Sequence, residues 1–148
     1  MKLTFAIIIL FCSAHFPLNK TRVIQYRGDN YTTTFDVPLQ FIGEYSGRKS
    51  GFLKLNADGT GVYKYDVFGI APTSCERTEI TFEWGMLTDK NGDLIKKKRD
   101  YGHSYPVLLK STSSTSFQGC QTQVMMDYIM EKNNQLHISS SDDWKKVR

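Results

Sequence analysis

The sequence predicts an all-β fold, a single antiparallel up-and-down β-barrel of about eight strands, with a β-sandwich as the alternative. Two observations carry this expectation. From Phe41 onward, apolar and polar residues alternate over short stretches, as strands with one buried face require. Turn sequences bearing Gly, Asn and Asp separate those stretches at intervals of about 8–12 residues.

The chain opens on a different signal. Lys2 precedes the apolar run Leu3–Phe11, and Cys12-Ser13-Ala14 supplies a small-residue end, so residues 1–14 read as a signal peptide for export. The run is about 10 residues long where a bilayer span needs about 20, which argues against a permanent membrane helix. Cleavage after Ala14 removes Cys12 and gives a periplasmic or secreted protein. Lipidation of Cys12 is the alternative and the only route to a membrane anchor; the bulky Phe11 before it counts against that route. About 134 residues then remain, the size of one domain. Cys75 and Cys120 are left as a pair that an oxidising compartment can bridge. The bridge would close a loop of roughly 45 residues, for about 3–4 kcal/mol. Two buried free thiols are the other reading.

Residues 15–40 show no strong period. Tyr31–Val37 contains β-formers and Pro38 ends it, so the segment reads as an N-terminal arm, extended or an edge strand. It leads into a barrel domain of residues 41–148. Phe41–Tyr45 reads as the first strand of that domain, and Ser46–Gly51 as a turn. Leu53 and Leu55 then alternate with Lys54. Asn56–Asp58 suit a type I turn that Gly59 closes in the left-handed region. On the return strand, Tyr63, Tyr65 and Val67 share one face.

In Glu79–Met86, the residues Ile80, Phe82, Trp84 and Met86 line one face while Glu79, Thr81 and Glu83 line the other. Asp89–Gly92 is a second turn signal, and Leu94–Lys96 begins a shorter strand. Tyr105–Lys110 is a strand whose Pro106 suggests an edge or a strand end. Ser111–Ser116 is small and polar, as in a loop. Gln121–Lys132 fits a helical stripe through Val124, Met125, Tyr128 and Ile129. It fits equally a strand with Val124, Met126, Tyr128 and Met130 on one face; Asn133-Asn134 and Leu136–Ser139 favour strand, turn, strand. Trp144–Val147 reads as the closing strand.

These residues resemble the lipocalin-like (calycin-type) small β-barrels of exported bacterial proteins. The resemblance rests on Gly43-Glu44-Tyr45, the hairpin around Asp58-Gly59, Phe82-Glu83-Trp84, and Tyr128–Ile138 before Asp143-Trp144-Lys145. Tyr45 stands where the lipocalin opening motif carries Trp. What the resemblance implies is an up-and-down barrel that often binds a small apolar molecule at its mouth.

No local motif declares catalysis. The three histidines lack zinc-helix spacing, and neither a Cys-x-x-Cys nor a Gly-x-Ser-x-Gly occurs. No metal or cofactor is expected, and the chain is read as a non-enzyme. The net charge is +4, and Lys2 leaves with the signal, which is no nucleic-acid signature. The basic block Lys96–Arg99 reads first as a solvated edge, where lysines discourage edge-to-edge pairing. The better lead is aromatic. Tyr63, Tyr65, Phe82, Trp84 and Tyr128 all point inward in the phase chosen, and large apolar faces with a few polar atoms suit an enclosed small-molecule site. The expected function is binding of a small apolar or amphipathic ligand; the alternative is an interaction or inhibitor module with a protein partner in the cell envelope.

Overall fold

The computed structural model describes residues 20–46, 51–64, 79–100, 102–112, 124–132, 135–138 and 144–147. Among them are eleven strands: β1 (Thr21–Tyr26), β2 (Asp29–Thr34), β3 (Gly43–Ser46), β4 (Phe52–Leu55), β5 (Thr60–Lys64), β6 (Glu79–Leu87), β7 (Lys97–Arg99), β8 (Gly102–Ser111), β9 (Val124–Lys132), β10 (Gln135–Ile138) and β11 (Trp144–Lys146). A 3-10 turn, Leu39–Phe41, joins β2 to β3. The segments carrying the signal peptide, Tyr65, Val67, Cys75, Cys120 and the loop after Thr112 lie outside the described residues.

Eight strands close into an antiparallel barrel in the order β3-β4-β5-β6-β8-β9-β10-β11. Tyr45 pairs with Lys146 to join first strand to last, and Trp84 pairs with Leu109 where β6 meets β8. The up-and-down order follows from short local turns. In the first, Gly59 donates its N–H to the Asn56 carbonyl at 3.1 Å and sits at φ 78°. Gly92 repeats the geometry with Asp89 at 3.1 Å and φ 88°. Positive φ at these positions is why both turns need glycine.

Alternation along the strands sets the interior. Phe82, Trp84 and Met86 of β6 are buried together with Tyr45, Leu53, Leu55, Val107 and Ile129 in one core. Phe41 meets Tyr105 edge-on at 5.0 Å between ring centroids and plugs the end of the barrel from which β2 enters. That is the closed end, shared by the 3-10 turn and both glycine turns. β3, β5, β8 and β10 all finish toward the other end.

Three strands lie outside the ring, β1, β2 and β7, and the first two fall in residues 15–40, for which the sequence predicts an extended arm or an edge strand. From Thr21 the segment is a hairpin, β1–β2, hydrogen-bonded to β6 through Thr33–Leu87 and Thr34–Met86. Its face covers the outside of the barrel. Ile24, Leu87 and Leu108 form a second buried cluster, with Tyr26, Tyr31, Ile95, Val124 and Met126 packed against it. Gly85 makes room for this layer, since a Cβ there would collide with the Thr33 side chain.

Two expectations change. Pro106 is interior to β8, not at an edge. It lies between the β7 pairing, which ends at Ser104, and the β6 pairing, which begins at Val107, so its missing N–H falls in a gap. The face of β9 carrying Val124 and Met126 looks outward, onto the hairpin; Ile129 is the residue buried in the interior. Tyr128 therefore points out of the barrel, with Lys97 Nζ 5.9 Å from its ring centre.

Candidate functional site

The structure brings three of the five expected aromatics together in the interior. Phe82 and Trp84 are buried, and Tyr63 is half-buried against the same core. Tyr65 falls outside the described residues, and Tyr128 belongs to the outer face. Trp84 is fully enclosed, and its indole N–H donates to the Asn56 carbonyl at 3.1 Å, so its one polar atom is already used. Gly61 faces the Phe82 ring so closely that a Cβ would overlap it. Phe82 and Trp84 are thus the packed floor of the interior.

The inward positions differ in exposure. Tyr45, Met86, Val107 and Ile129 are buried. Toward the end where β5 finishes and β6 and β9 begin, the inward positions Tyr63, Ile80 and Asp127 are all half-buried.

Asp127 was not among the expected site residues. It lies on β9 opposite Val107, two positions from Ile129, and so shares the inward face. Burial pushes its carboxyl up to about 7, against a smaller opposing effect from the Tyr128 N–H, which donates to Oδ1 at 2.7 Å. Among the described residues no cation lies within ion-pair distance of it. An acidic residue inside an apolar alternation was the sequence signal for it, and choosing the opposite phase of β9 concealed it.

A second polar cluster marks the closed end. Glu131 accepts from the Tyr105 hydroxyl at 3.3 Å and from Gln40 Nε2 at 3.4 Å, and its Oε2 lies 3.5 Å from His103 Nδ1. Desolvation, then the Glu131 charge and hydrogen bond, raise the Tyr105 hydroxyl above its ordinary value. These contacts tie β8 to β9 and to the 3-10 turn. Among the described residues no group of three or more His, Cys, Asp or Glu side chains is placed to hold a metal ion.

The chain matches no protein-family model, no curated protein and no solved structure.

Proposed function

We propose that this chain is an exported, non-enzymatic barrel that binds a small apolar or amphipathic ligand, as the lipocalin-like resemblance implies. The observation that carries the reading is partial exposure on the inward face: Tyr63, Ile80 and Asp127 are half-buried toward the end where β6 and β9 begin, while Phe41 and Tyr105 are buried against each other. Eight-stranded barrels are either filled or hold one small ligand, and partial exposure of inward side chains favours the second state at that end.

The test is tryptophan emission during titration with fatty acids, fatty alcohols and aromatic probes. A saturable change supports ligand binding, and its absence across all three classes overturns it. With export and cleavage after Ala14, Cys75 and Cys120 remain as a pair that an oxidising compartment can bridge. Intact mass starting at His15 and two hydrogens light is the expected result; an added lipid would assign the chain to the membrane through Cys12.

The exposed edge strand Lys97–Arg99 favours a second reading, a docking module for an acidic envelope protein. Recovery of a stoichiometric protein partner from envelope extracts, lost on replacing those three residues, would support it.

A further inference from the structure

We infer that the ligand carries a cationic group, an alkyl or aryl amine, and that Asp127 is the residue that receives it. This rests on the ligand-binding reading and narrows it to one charge class. The inward wall around Asp127 is apolar, formed by Val107 across the strand pair and Ile129 along β9. A carboxylate in such a wall costs several kcal/mol of lost hydration unless something compensates it. The Tyr128 N–H, at 2.7 Å, is the compensation the fold provides.

The other described interior or rim carboxylate, Glu131, has Tyr105, Gln40 and His103 around it. Glu83 has Arg22 at 3.6 Å, and Asp36 has Lys20 at 2.8 Å. Among the described residues Asp127 differs from all of these in facing the interior with no cation within ion-pair distance. Lys97 lies over Tyr128, on the outward face of the same strand. Tyr63, half-buried on the inward face of β5, adds an aromatic ring at the same end, suited to an alkylammonium group. A cation arriving with an apolar tail would satisfy the carboxylate and the wall together. A fatty acid would bring a second negative charge to the same place.

The test is calorimetric titration of the purified chain with decylamine, 1-decanol and decanoate at pH 8, where decylamine is protonated. The expected order of affinity is decylamine, then decanol, then decanoate. Asp127→Asn should weaken decylamine about tenfold or more and leave decanol unchanged. The charge series on the unaltered chain stands without the variant if the variant does not fold. If decanol or decanoate binds as tightly as decylamine, the assignment of Asp127 is overturned while the ligand-binding reading survives. If none of the three binds, both fall.

Discussion

The indole nitrogen of Trp84 donates to the carbonyl oxygen of Asn56 at 3.1 Å, across 28 positions of sequence. The same carbonyl accepts the Gly59 N–H, and the Gly59 carbonyl accepts the backbone N–H of Trp84 at 2.9 Å. One turn thereby fixes the largest side chain of the core at both its backbone and its ring. Replacing Trp84 with Phe keeps an aromatic ring but leaves a void and one fewer hydrogen bond. Asn56 keeps its Gly59 donor, so no acceptor is orphaned. The expected loss is about 1–3 kcal/mol, read as a lower urea midpoint by circular dichroism.

Gly59 and Gly92 occupy equivalent turns with similar φ, yet their surroundings differ. A Cβ at Gly59 would meet the Arg22 guanidinium and the Phe35 ring, whereas nothing lies within 4 Å of one at Gly92. Both alanine substitutions incur the left-handed penalty of about 1–2 kcal/mol. Gly59→Ala should lose about 1–3 kcal/mol more, because Phe35 is a core residue and must shift. Equal losses at the two sites would show that Phe35 and Arg22 move freely.

How much of this was legible beforehand depended on range. The Asn56–Gly59 and Asp89–Gly92 turns are local chemistry, and the inward set Phe82, Trp84, Met86 follows from period two within a single strand. The phase of β9 is different. Val124 and Met126 alternate as core residues do, but they pack, half-buried, against the outer cluster under β1–β2. A strand apolar on both faces has no phase that its own sequence can select. The hairpin was hidden for the matching reason: Ile24 is flanked by exposed Val23 and Gln25, a weak pattern that gains meaning only from Leu87 and Leu108 beneath it. Pro106 misled because its tolerance depends on where two other strands stop. Asp127, the most consequential site residue, inherited the error in β9.

The outer cluster predicts a separable loss of structure. Leu108 is fully buried, although its side of β8 faces away from the barrel interior. Leu108→Ala should cost about 2–5 kcal/mol by leaving a cavity under Ile24. It should also speed amide exchange in β1 before the barrel strands, since β1–β2 gains its burial from this layer. Exchange that accelerates first in β4 or β5 would place Leu108 in the inner core instead.

Asp127 makes stability depend on pH in a direction opposite to that of an ordinary paired carboxylate. Its folded value of about 7 stands above the unfolded 3.8, so between those limits the folded chain holds a proton that the unfolded chain has released. Stability falls as pH rises through that window and levels off above it. At about 1.4 kcal/mol per unit, the whole effect is at most about 4 kcal/mol. Asp58 acts the other way and elsewhere: hydrogen bonds from the Thr60 hydroxyl and N–H lower it, so its contribution is lost only as pH falls below about 4. Asp127→Asn removes the first dependence and leaves the second. Urea midpoints at pH 4.5, 6 and 8 should show the variant gaining on the parent with each step. A constant difference across the three would mean that Asp127 is solvated as fully as an exposed carboxylate.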